Sequence, residues 1–164
     1  MAKATAKRKA KATAHAKTAA RKSSARRPLK PAVKAKAKRP RKQAFVASHL
    51  KDAKFEQGLR RYAHYRDLGI AKATGGLAVA HVIRLIPPCI PEEVSKRHYH
   101  DVEFQMIYVL KGWMKGEYEG EVVTMHAGSC WLQPPKIKHT VLDYSDDCEL
   151  LEIILPAAFD TVEL

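Results

Sequence analysis

The chain has 164 residues, with 30 Lys and Arg against 17 Asp and Glu, a formal net charge of +13. That charge is unevenly placed: residues 1–43 hold 17 of the basic groups and no acid, while residues 44–164 hold the other 13 and all 17 acids, and are net negative. No run reaches the length of a membrane span and no apolar stretch of secretory-signal type is present, so neither membrane insertion nor secretion is expected.

Residues 1–43 are mostly Ala, Lys, Arg, Thr, Ser and Pro, with no Phe, Trp or Tyr. Such a segment cannot bury enough apolar surface to offset its chain entropy and reads as disordered. Pro28, Pro31 and Pro40 interrupt any helix the alanines would favour. A mobile polycation binds polyanions with steep salt dependence, so non-specific nucleic-acid binding is one reading of this tail. In composition it resembles the tails of linker histones. A solubilising tail without a partner, and nuclear or organelle targeting through runs such as Lys38-Arg39-Pro40-Arg41-Lys42, are the alternatives.

Residues 44–164 suit one domain, large enough to bury about two thirds of its unfolded surface. Ala44 to Arg60 carries Phe45, Leu50, Phe55 and Leu59 among polar residues and reads as a lead-in with one short helix. Tyr62 to Gly69 reads as a strand and turn, Ala73-Thr74-Gly75-Gly76 as a turn, and Leu77 to Ile86 as an apolar strand closed by Pro87, Pro88 and Pro91. Arg97 to His100 is a strand end. Glu103 to Lys111 is the strongest strand, stopped by Gly112. Trp113–Tyr118 and Glu121–Met125 form a hairpin about Glu119-Gly120. Strands over 129–133, 139–143 and 149–155 complete the set. Many short strands with frequent turns predict an all-β sandwich or barrel. Cys89, Cys130 and Cys148 read as reduced, mostly buried thiols of a cytoplasmic protein.

Two His at i and i+2 of a strand, His98 and His100, point to one side. His139, from a later strand, joins them only if the sheet folds back. Three imidazoles with one oxygen donor suit one divalent transition metal. The spacing is His98-x-His100, four residues, Gln105, six residues, Gly112; then Gly128, five residues, Pro134-x-Lys136-x-x-His139, three residues, Asp143. These two blocks resemble those of the cupins, with Gln105 in place of Glu, Lys136 in place of Gly and Asp143 in place of Asn.

The resemblance implies a cupin-type jelly-roll β-barrel and one metal (Fe, Mn, Ni, Cu or Zn) held by His98, His100, Gln105 and His139. With a neutral Gln105 the loaded site gains one positive charge over a glutamate-bearing one. Such a site is expected to bind hard ions less well and to favour anionic ligands. Glu103, of the same strand parity, is the rival oxygen donor, or a general base if it points inward without ligating. Asp101 reads as loop surface. His15, His64, His81 and His126 read as surface or core histidines. Trp131, Tyr108, Trp113 and Tyr144 read as packing residues or pocket mouth, and Lys136 and Lys138 as turn lysines.

If Gln105 faces inward, so do Ile107 and Val109, and Phe104, Met106, Tyr108 and Leu110 form an outward apolar row. Such a row predicts a homodimer, unless residues 45–70 cover it. For function, the resemblance implies a metal-dependent enzyme of oxygenase or isomerase type on a small organic substrate, and the neutral Gln105 favours an anionic one. A ligand-binding or sensing barrel coupled to nucleic acid by its tail is the alternative, and a storage barrel with a vestigial site is a third. No helix-turn-helix is present to read base sequence.

Overall fold

A computed structural model describes residues 42–58 and 60–164. The disordered tail expected over 1–43 therefore lies, but for Lys42 and Gln43, outside the described residues.

Two antiparallel sheets make the domain. Strands are numbered along the chain. One sheet has the order β1 (Glu56–Gln57), β2 (Ala63–Asp67), β3 (Val79–Leu85), β10 (Glu149–Leu155), β5 (Phe104–Lys111) and β8 (Cys130–Leu132). The other has the order β11 (Asp160–Glu163), β4 (His98–Asp101), β9 (His139–Tyr144), β6 (Trp113–Tyr118) and β7 (Glu121–His126). This is the expected all-β jelly-roll barrel.

Strand alternation places the site. On β5, Gln105 (2% exposed), Ile107 and Val109 face inward, while Phe104, Tyr108 and Leu110 (44% exposed) face out. Ile107 and Val109 join Ile83, Leu85, Met114, Met125, Tyr144 and Leu150 in the core, while Gln105 lines the cavity. Each fully buried aliphatic side chain there contributes roughly 1.5–3 kcal/mol. The lead-in does not cover the outward row: β1, β2 and β3 lie on the far side of β10 from β5 and β8.

The turns follow the residues. Gly112 takes φ 67°, and a Cβ there would overlap Ser145 Oγ, so the side-chain-free residue is required between β5 and β6. Lys136, at the motif position where the cupin pattern has glycine, also takes a left-handed φ of 63°. Its N–H donates to the His100 carbonyl at 3.1 Å, tying that turn to the histidine strand.

Several sequence expectations need correction. The lead-in does hold one short helix, the 3-10 turn Leu50–Asp52, but also the unexpected strand β1; Phe55 lies under the Arg84 guanidinium at 3.9 Å. Pro91, expected to break the chain, opens helix α2 (Pro91–Val94), where a missing N–H leaves no bond unmade. A further short helix, α1 (Ile70–Ala73), and β11 were not anticipated. Cys130 is exposed; Cys148 is buried and Cys89 partly so, and all three thiols are free.

Candidate metal centre

His98 and His100 sit two apart on β4, and His139 opens β9 directly opposite His98 in the ladder. Ring centroids are 4.3 Å apart for His98–His139, 5.0 Å for His98–His100 and 5.2 Å for His100–His139. One ligand nitrogen from each lies within 4.8 Å of the others. His139 therefore joins the pair by simple β4–β9 pairing within one sheet, without the sheet having to fold back.

Backbone and side-chain acceptors fix how the rings present themselves. His98 Nδ1–H donates to the Lys96 carbonyl at 2.7 Å, and His139 Nδ1–H to the Ile137 carbonyl at 2.9 Å. A carbonyl only accepts, so in both neutral rings the proton is on Nδ1 and the lone pair on Nε2. His100 Nδ1 shares a hydrogen bond with the Thr161 hydroxyl at 2.9 Å, so β11 positions this ring. Phe159 packs edge-on against His100, and Tyr118 stacks on His139.

Burial keeps the three rings neutral. Desolvation pushes His98 and His100 down to about 4, and His139 downward as well. The Lys96 and Ile137 carbonyls oppose the shift at His98 and His139, and the neighbouring imidazoles add to it at His98 and His100. Neutral imidazoles with aligned nitrogens form a donor set that fits a divalent transition metal. When bound, such an ion supplies Lewis-acid or redox chemistry.

The histidines open into a cavity of about 340 Å³ between the sheets, lined also by Gln105, Tyr118, Gln133 and Glu152. This is the size range of small-molecule sites. Gln105 donates Nε2–H to Glu152 Oε1 at 2.8 Å. A carboxylate only accepts, so the amide nitrogen faces Glu152 and the amide oxygen faces away from it.

Glu103 is not in the site. A bend precedes β5, so strand parity does not extend back to this residue; its N–H donates to the Leu155 carbonyl and its side chain is exposed. It does not line the cavity. The acid that does line the cavity is Glu152 on β10, with a side chain only 14% exposed. Its signal was a lone charge inside Leu150-Leu151-Glu152-Ile153-Ile154, with the parity of core residues Leu150 and Ile154.

Three further lining residues escaped the sequence reading. Gln133 donates Nε2–H to His139 Nε2 at 3.2 Å while its oxygen accepts from Trp131 Nε1–H. His81, read as an isolated histidine, approaches Glu152 at 3.7 Å. Arg60 pairs through Nη1 with Glu163 at 2.7 Å, while its Nη2 is buried without a partner. Tyr108 faces out as expected, Trp131 does line the cavity, and Trp113 and Tyr144 do not.

Two facing antiparallel sheets with H-x-H on one strand and the third histidine opposite it match a known arrangement, and a family profile described as "Cupin domain" matches residues 89–154. The chain carries a cupin domain. The cupin fold is shared with KdgF from Halomonas sp. (TM-score 0.55, 18% identity, 69% of this chain and 94% of that one). It is shared with the polyketide cyclase RemF from Streptomyces resistomycificus (TM-score 0.60, 18% identity, 74% and 86%). An FeII form of HppE also matches (TM-score 0.54, 14% identity, 68% and 60%). At these identities the likeness is one of fold. No curated protein matches the chain. Among the described residues, no helix is long and apolar enough to cross a membrane.

Proposed function

We propose that this cupin is a metal-dependent enzyme, of oxygenase or isomerase type, acting on a small organic anion. His98, His100 and His139 hold the ion and Gln105 supplies an oxygen. The observation that carries the reading is the convergence of three histidines beside the cavity, with the Nδ1 side of His98 and His139 fixed so that Nε2 is the nitrogen each can offer, at His139 in place of its bond to Gln133. HppE, described in an FeII form, and the cyclase RemF show that related barrels host metals and carbon chemistry. Anionic character is favoured by Arg60, the only Lys or Arg lining the cavity among the described residues. The test is metal content of the purified full chain, followed by oxygen uptake and isomerisation assays on small carbonyl acids. A protein that takes up no metal refutes the reading.

A second reading has one observation in its favour. The Gln133 amide already satisfies the His139 Nε2 lone pair without any metal. On that reading the barrel binds or senses an organic ligand directly, and tight ligand binding by the metal-free protein, without turnover, would establish it.

Two interactions complete the proposal. The exposed apolar row Phe104, Tyr108 and Leu110, continued by Leu132 on the adjacent edge strand, supports a homodimer through this face. Sedimentation of wild type against Leu110→Lys tests it: a monomeric wild type refutes the dimer. The acid-free basic segment 1–43 supports non-specific binding of nucleic acid or another polyanion. No retention of duplex DNA at low salt refutes that. The three free thiols suit a reducing, cytoplasmic setting; a disulfide in protein isolated under thiol-trapping conditions would refute it.

A further inference from the structure

The cupin block places an acid where this chain has Gln105, and the structure places an acid beside it. Glu152 stands on β10, the strand paired with β5, and faces the same cavity. Its Oε1 accepts the Gln105 amide proton at 2.8 Å, and its Oε2 lies 3.7 Å from His81 Nδ1. Gln105 itself is almost fully buried, so its amide has little water to turn to. A side-chain amide in such a place has two orientations that differ by exchange of oxygen and nitrogen. Contact with a carboxylate leaves only one of them satisfied.

We infer that Glu152 supplies from β10 the carboxylate that Gln105 lacks: it locks the Gln105 amide with its oxygen directed to the metal site, and returns one negative charge to the cavity. Glu152 is thus a positioning residue that acts on the ion through Gln105. The inference rests on the metal reading of the three histidines. It changes the charge expected from the sequence. A neutral Gln105 alone leaves the loaded site with an extra positive charge, whereas Gln105 with Glu152 restores the balance of a glutamate-bearing site. Hard ions such as Mn(II), which depend on oxygen donors and negative charge, then remain good occupants.

The experiment exchanges the pair across the two strands. Full-length wild type, Glu152→Gln, Gln105→Glu and the double exchange Q105E/E152Q are freed of metal and titrated with Mn(II) and Zn(II). Wild type is expected to bind both ions. Glu152→Gln should lose about 10- to 100-fold in Mn(II) affinity, the usual cost of removing a group that orients a ligand, and less for Zn(II). The double exchange restores an acid and an amide in contact and should return Mn(II) affinity to near the wild-type value. Melting of the four metal-free proteins reads the pair without any ion: Gln105→Glu, with two carboxylates in contact, should melt lowest, and the double exchange should recover. Should Glu152→Gln alone fail to fold, the double exchange carries the test. The inference is overturned if Glu152→Gln binds Mn(II) as wild type does, or if the double exchange recovers neither affinity nor stability. If wild type takes up neither ion, the metal reading falls and this inference with it.

Discussion

Gln133 Nε2 lies 3.2 Å from Nε2 of His139, and the orientation of both groups is determined by their other partners. Trp131 Nε1–H donates to the Gln133 oxygen, so the amide nitrogen must face His139; the Ile137 carbonyl holds the His139 proton on Nδ1. The nitrogen that a metal would use is therefore already an acceptor. An ion has to displace this amide, at a cost of about 0.5–1.5 kcal/mol, the net worth of one hydrogen bond. Gln133→Met keeps the volume and removes the donor. It should raise Zn(II) affinity by up to about 10-fold, read by competition with a chelating dye. A lower affinity would mean that Gln133 assists the site instead.

Acid should destabilise the metal-free protein in a defined window. Buried His98 and His100 have values pushed down to about 4, against 6.5 for the exposed side chain. Above pH 6.5 these histidines are neutral in both folded and unfolded chains and contribute nothing to the pH dependence. Below it the unfolded chain takes up protons that the folded chain refuses, so stability falls as the pH drops from 6.5 towards 4. Each such histidine adds up to about 1.4 kcal/mol per pH unit to the slope. Urea unfolding between pH 8 and pH 5 should show a flatter dependence for His100→Asn than for wild type. Parallel curves would show that burial does not depress His100.

The turn before His139 carries avoidable strain. Lys136 holds a left-handed φ of 63°, a conformation costly for a residue with a Cβ. Lys136→Gly should stabilise the fold by about 1 kcal/mol or less, part of the gain being lost to greater freedom of the unfolded chain. Loss of the exposed Lys136–Asp101 pair at 3.4 Å should matter little. Thermal melting checks the sign, and a lower melting temperature would contradict this reading of the turn.

Arg60 should discriminate among ligands by charge. Small carboxylates are expected to raise the melting temperature of the wild type, and the matching amides are not. In Arg60→Met the response should weaken about 10- to 100-fold in concentration, as for loss of a charge-assisted hydrogen bond of 1.5–3 kcal/mol. Equal responses to acid and amide would remove Arg60 from ligand recognition.

Short-range pattern disclosed the many strands and the His98–His100 pair, and the resemblance to the two cupin blocks supplied the jelly-roll and joined His139 and Gln105 to them. His98 and His100 share a face by strand parity alone, and Gln105, Ile107 and Val109 alternate inward as written. The rest depended on which strands become neighbours. Glu152 is 47 residues from Gln105, and only the β5–β10 pairing makes them partners. Thr161 reaches His100 because β11 returns to β4, and a four-residue strand has too little alternation to announce itself. Glu103 failed for the opposite reason: parity was extended one step past the start of β5, into a bend. Arg60 lies in an irregular segment with no period to read.

Elemental analysis of the full-length chain, beside that of His100→Ala, decides whether the three histidines hold an ion. A metal centre at His98, His100 and His139 gives close to one transition-metal ion per wild-type chain, after expression with metal supplied, and its loss in a His100→Ala protein that still folds. A wild-type chain that carries no metal and takes none up on titration, or a His100→Ala variant that retains it in full, would mean that these histidines hold no ion.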